Sequence, residues 1–134
     1  MPRFVILEHQ SPRGLHWDFM LQRGDRLVTW ALAQQPAPQA AIPAEALADH
    51  RLAYLDYEGP ISGGRGTVTR WDWGIYDTLR WDAKEVVVRL SGVRLSGEVR
   101  LAMVEVNQRA AHGEAEPPTT WCFVFSPPRG GRQG

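Results

Sequence analysis

The sequence predicts a mainly β protein: a closed or nearly closed antiparallel β-barrel carrying one or two short helices. Two observations lead there. Apolar runs are short and punctuated by Gly, Pro, Asp and Ser, which gives about eight strands at turn-broken spacing. Within such runs apolar and polar residues alternate, as in His16-Trp-Asp18-Phe-Met20-Leu, where Trp17, Phe19 and Leu21 share one face of a strand. Closing the sheet on itself then removes the exposed edges that so many strands would otherwise present.

The elements follow in order. Residues 3–9 form an apolar run suited to a buried strand, and 15–22 and 26–32 flank Arg23-Gly-Asp25, a hairpin connection. The Pro/Ala/Gln-rich stretch 33–43 reads as a surface loop. Pro43 to Asp49 is expected to form a short helix with Pro43 in its first turn, and 52–57 an extended segment. Gly59 to Gly66 is a glycine-dense turn feeding Thr67 to Trp71, where Trp71 and Trp73 alternate with Asp72 as one buried face. Ile75 to Trp81 and Glu85 to Leu90 are partner strands, with Val86, Val88 and Leu90 on one face. Leu-Ser-Gly occurs twice within 90–97 and marks a turn. Val99 to Val106 and Trp121 to Phe125 complete the strands, with a mobile polar loop at 107–119 that holds His112. One domain is expected over 1–126, with 127–134 as a disordered tail.

Composition bounds the function. A chain of 134 residues, 43% hydrophobic and 22% charged, supports one buried core and excludes wholesale disorder. Net charge is zero, so no global field draws the chain to nucleic acid. The single Cys122 forbids an internal disulfide and reads as a buried strand thiol. No signal peptide and no apolar run of ~20 residues stands out, so the expectation is a soluble cytoplasmic protein away from membranes.

The chemistry concentrates near the start. His16 and Asp18 share a strand face, and the Ser11-Pro-Arg-Gly14 turn allows His9 to approach them. Two imidazoles and a carboxylate form a borderline N/O ligand set, suited to Mn, Fe or Zn, and leave coordination positions open. His50, with Tyr54 four residues on, is a candidate general acid or charge donor beside a phosphate. Gly63 to Gly66 fits neither a P-loop nor a dinucleotide fingerprint, and there is no nucleophile elbow. The six tryptophans read as barrel packing.

Several of these motifs recur together elsewhere. Phe4-Val-Ile-x-x-His9, Leu15-His16-Trp-Asp18-Phe, Trp30-Ala-Leu, Asp49-His50-x-Leu-x-Tyr54 and Tyr57-Glu58-Gly59-x-Ile61 resemble the 3′-phosphoesterase domain of bacterial DNA ligase D. So do Gly66-Thr-Val68, Trp71-Asp72-x-Gly74, the paired steps at 90–97 and the Trp121 strand, so the resemblance covers nearly the whole chain. It implies a β-barrel that binds Mn²⁺ (or Zn²⁺ or Co²⁺) and removes a 3′-phosphate or terminal ribonucleotide from broken DNA in end joining. It implies His9, His16 and Asp18 as metal ligands, His50 and Tyr54 as catalytic residues, and a structural role for Glu58 and Gly59.

The departures from that pattern remove positive charge. Met20 stands where the family usually has Arg, Gln34 and its neighbours where it has Lys, and Ile42 where an upstream Arg is common. His9 and His16 stand one residue further apart than usual, and the family's N-terminal extension is expected to be missing. Losing one preorganised donor costs ~10²–10³ in rate, so activity is expected to be reduced. Arg13 and Arg51 are the candidate substitutes at the phosphate. The leading expectation is a phosphoesterase acting on DNA 3′ ends or primer-templates, with end-joining ligase or polymerase proteins as partners. The alternative is a catalytically degenerate metal-binding barrel that binds DNA ends or a repair partner. A small-molecule phosphoesterase is the third reading.

Overall fold

Alternation along the second strand sets the barrel wall. Trp17, Phe19 and Leu21 turn inward, and His16, Asp18 and Met20 turn outward. In a computed structural model that describes residues 1–104 and 120–128, this pattern repeats around a ring. The strands are β1 (Arg3–Ser11), β2 (Gly14–Arg23), β3 (Arg26–Leu32), β4 (Ile42–Arg51) and β5 (Gly59–Pro60). They continue with β6 (Thr67–Trp81), β7 (Glu85–Gly92), β8 (Ser96–Val104) and β9 (Thr120–Ser126). Eight of them close antiparallel in the order β1-β2-β3-β4-β9-β8-β7-β6, with β6 pairing back onto β1. The two-residue β5 adds to the start of β6. No helix among the described residues is long and apolar enough to cross a membrane.

Two apolar clusters hold this wall from either side. Every strand of the ring contributes to the interior, including Phe4, Phe19, Trp30, Ile42, Tyr76, Val88, Val99 and Phe123. A smaller cluster of Val5, Leu7, Met20, Leu27 and Val68 lies on the outer face and is capped by Leu55. Burying one such side chain contributes ~1.5–3 kcal/mol. The outer cluster therefore anchors the 52–61 excursion beside the candidate site.

Four expectations are corrected. Pro43 to Asp49 is not helical but the middle of β4, because Ile42–Arg51 must pair with β3 and β9 for the ring to close. Helix-favouring Ala, Glu and Leu yield to that pairing. The only helical piece among the described residues is a 3-10 turn at Leu52–Leu55, where an extended segment was expected. It turns because Leu55 must fold back onto the outer cluster. Thr67 to Trp71 and Ile75 to Trp81 are one 15-residue strand, and a bulge opposite Ile6 and Leu7 shifts its parity. Trp71 consequently packs inside while Trp73 is exposed. Cys122 is half-buried on the outward side of β9 rather than in the core. The loop 107–119 with His112, the end of the last-but-one strand past Val104, and 129–134 lie outside the described residues.

Asp72 and Tyr76 supply the polar fastening of β6. The fully buried Asp72 carboxylate accepts the backbone N–H groups of Trp73, Val93, Arg94 and Leu95 at 2.8–2.9 Å, tying down the β7–β8 turn. Tyr76 is 1% exposed and donates to the Gln22 carbonyl at 2.6 Å. Burial pushes its phenol above the usual value of 10.0. The unfolded chain therefore ionises first, and stability falls as pH rises above about 10 toward the raised folded value. Tyr76→Phe is expected to cost about 1 kcal/mol at pH 8. Urea titrations at pH 8 and in the alkaline range should show the gap from the parent narrowing as pH rises.

Candidate metal centre

The β1–β2 hairpin builds the site. Ser11 Oγ donates to the Gly14 carbonyl at 2.9 Å and accepts the Arg13 N–H at 3.1 Å, which closes the turn and sets the register. In that register His9 pairs with His16, and Leu7 with Asp18, so both imidazoles and the carboxylate leave the outer face together. The rings stand 4.5 Å apart between centroids. One ligand atom from each of the three residues lies within 4.8 Å of the others.

The donor atoms converge with too few protons to satisfy them. His9 Nε2 lies 2.8 Å from the Arg65 carbonyl, which can only accept, so this nitrogen carries the proton. In the neutral ring, Nδ1 is then a bare lone pair aimed at Asp18 Oδ2, 3.1 Å away. Asp18 Oδ1 is buried and makes no well-formed hydrogen bond, although His16 Nε2 is 3.0 Å off. Such an arrangement needs a positive centre, and an N/O trio with an orphaned carboxylate oxygen fits a divalent cation. In the cation-free chain a proton serves in part. The Asp18 carboxylate 3.0 Å from its Nε2 raises the His16 pKa above its usual 6.5, with a smaller contribution from the charge of Glu45. His16 thus adds stability fully below 6.5 that is lost as pH rises through the raised folded value. A divalent cation held by these atoms would require the neutral ring and so would bind more tightly over the same interval.

The glycine-dense turn has a part in this. Gly66 has φ of 97°, and a Cβ there would sit 1.8 Å from the Gln10 carbonyl oxygen. Only glycine allows the chain to pass this close to β1, which delivers the Arg65 carbonyl to His9. Arg65 Nε donating to the Ser62 carbonyl at 2.8 Å braces the same turn. Glu58 accepts the Arg70 N–H at 2.8 Å and fastens the excursion to β6.

A cleft of ≈ 660 Å³ opens over the trio, and Arg13, Glu45 and His50 line it as well. His50 Nδ1 donates to the Ala48 carbonyl at 2.9 Å, leaving Nε2 as the free ring nitrogen. Tyr54 lies edge-on to His50 at 5.6 Å, packs on the outer cluster and is not part of the cleft lining. Arg51 is exposed and outside that lining. Met20 and Ile42 are buried in the outer and inner clusters, and Gln34 is exposed. Sequence reasoning missed Glu45, since a helical reading of 43–49 assigns it no strand face.

The model of the DNA ligase D 3′-phosphoesterase domain family matches residues 7–103. The chain is similar to the multifunctional non-homologous end joining DNA repair protein LigD of Mycobacterium tuberculosis H37Rv. It is 36% identical over 118 residues, covering 81% of this chain and 15% of that protein. LigD of Pseudomonas aeruginosa PAO1 is 32% identical over 123 residues, covering 84% of this chain and 14% of that protein. LigD of Mycolicibacterium smegmatis is 29% identical over 126 residues. The chain thus spans about 15% of the length of the curated relatives it matches.

Proposed function

This chain belongs to the DNA ligase D 3′-phosphoesterase domain family, and from that premise we propose that it is a divalent-cation-dependent phosphoesterase. Its substrates are DNA 3′ ends bearing a phosphate or a terminal ribonucleotide, in non-homologous end joining. The observation that carries this reading is the buried Asp18 carboxylate set between two imidazoles, one of its oxygens lacking a well-formed hydrogen bond. His9, His16 and Asp18 would hold Mn²⁺, with Zn²⁺ or Co²⁺ as substitutes. When bound, the cation supplies Lewis-acid polarisation of a phosphoryl oxygen.

The chain's own groups divide the remaining tasks. Arg13 presents a guanidinium to the phosphate from the turn side of the cleft. His50, its Nδ1 engaged by Ala48, has only Nε2 free to take up and deliver a proton to the leaving oxygen. Tyr54 bounds the orientation of the His50 ring. Arg51 contributes from outside the cleft if an extended strand passes along β4.

A second reading has its own support. The positions expected to carry cations hold the buried Met20 and Ile42, so among the described residues Arg13 is the one arginine in the cleft lining. That favours slow turnover, or a cation-loaded barrel that binds DNA ends or an end-joining ligase or polymerase without cleavage. The experiment is phosphate release from a 3′-phosphate duplex primer across Mn²⁺, Zn²⁺ and Co²⁺, with metal analysis of the same sample. Release that requires the metal is expected; one equivalent of bound metal without release selects the second reading. A parallel panel of nucleotide and sugar phosphates tests the small-molecule alternative.

A further inference from the structure

Glu45 is placed opposite the metal trio by the sheet itself. Asp18 pairs with Ala31 on β3, and Ala31 pairs with Glu45 on β4, so the three form one row on the outer face. Paired residues share a face, and adjacent strands are ~4.8 Å apart, so Glu45 stands two strands, or ~10 Å, from Asp18 along that row. The residue between them is alanine, whose methyl group leaves the space above the sheet open. Both carboxylates line the same cleft.

Glu45 is also unengaged. It is exposed and has no hydrogen-bond or ion-pair partner among the described residues. On the facing side, the Asp18 side chain is 6% exposed and keeps one oxygen without a well-formed hydrogen bond. A buried, under-satisfied carboxylate between imidazoles and a free carboxylate across an alanine gap form one electrostatic unit.

We propose that Glu45 is a further cation-binding residue of this chain, its carboxylate closing the open side of the His9–His16–Asp18 cluster across Ala31. The proposal rests on the metal reading of that cluster. The trio alone contributes one negative charge to a dication, and Glu45 brings the site to neutrality. Ligand charge count is a principal determinant of cation affinity in oxygen-containing sites. The same charge opposes an incoming phosphate, so the cleft holds its cation better at the expense of its attraction for anions.

The test is titration of the metal-free protein with Mn²⁺ and with Co²⁺, read by calorimetry and by the Co²⁺ visible spectrum. The variants are Glu45→Gln, His16→Ala and Glu98→Gln, the last an exposed carboxylate on β8 that matches the loss of one charge. Glu45→Gln is expected to weaken Mn²⁺ binding by about tenfold to a hundredfold, since the site loses one of its two negative charges. It should also alter the Co²⁺ spectrum, with the metal-free melting temperature unchanged and Glu98→Gln matching the parent. Binding lost in His16→Ala but unaltered in Glu45→Gln overturns the role of Glu45 alone. An equal loss in Glu98→Gln also overturns it, as a general charge effect. A parent chain that binds neither ion overturns the metal reading and the Glu45 proposal together.

Discussion

Under the proposed function, Asp18→Asn is expected to abolish stabilisation by Mn²⁺ without lowering the stability of the cation-free protein once pH exceeds the raised pKa of His16. The carboxylate is buried against His9 Nδ1, and its Oδ1 makes no well-formed hydrogen bond although His16 Nε2 stands 3.0 Å away. A buried charge so poorly compensated is costly, and an isosteric amide removes the charge while its NH₂ donates to His9 Nδ1 and its oxygen accepts from His16 Nε2. The cation-free variant should therefore melt no lower than the parent. With Mn²⁺ at a hundred times its dissociation constant the parent gains about 2.7 kcal/mol, and the variant gains at most about 0.4 kcal/mol once its affinity falls a hundredfold or more. Melting curves with and without Mn²⁺ give both results at once. A variant that is destabilised without metal, yet still responds to it, would show Asp18 to be a packing residue instead.

Asp72→Ala is expected to destabilise the barrel by about 4 kcal/mol, the largest single effect outside the site. Its fully buried carboxylate accepts four backbone N–H groups, three of them from the β7–β8 turn. Truncation leaves those donors orphaned and empties the space beside Gly92, where even a Cβ would meet the carboxylate at 2.6 Å. Urea denaturation measures the loss. Asp72→Asn should recover part of it, because one oxygen still accepts while the amide opposes a donor. An Asp72→Ala protein within 1 kcal/mol of the parent would contradict the buried network.

These two aspartates illustrate what was legible beforehand. Asp18 stood out because two-residue periodicity put it beside His16 on a face opposite Trp17 and Phe19, and local pairing is enough to bring His9 alongside. Asp72 looked like one step in a buried tryptophan face. Its role depends on a turn twenty residues further on and on a bulge that reverses parity along β6. The same reason explains β4. Its Ala-Glu-Ala-Leu-Ala core has helical propensity, and only the unfilled edges of β3 and β9 draw it into the ring.

The sequence by itself determined the barrel class, the hairpin that pairs His9 with His16, and the family, because alternation and turn chemistry act between near neighbours. Tertiary structure alone decided that the trio faces outward into a cleft. It also decided that Met20 and Ile42 are packing residues on opposite sides of the wall, and that Glu45 and the Arg65 carbonyl approach the site. Those placements depend on ring closure and on strand-to-strand register, which couple residues far apart in the chain and leave no periodic signal in it.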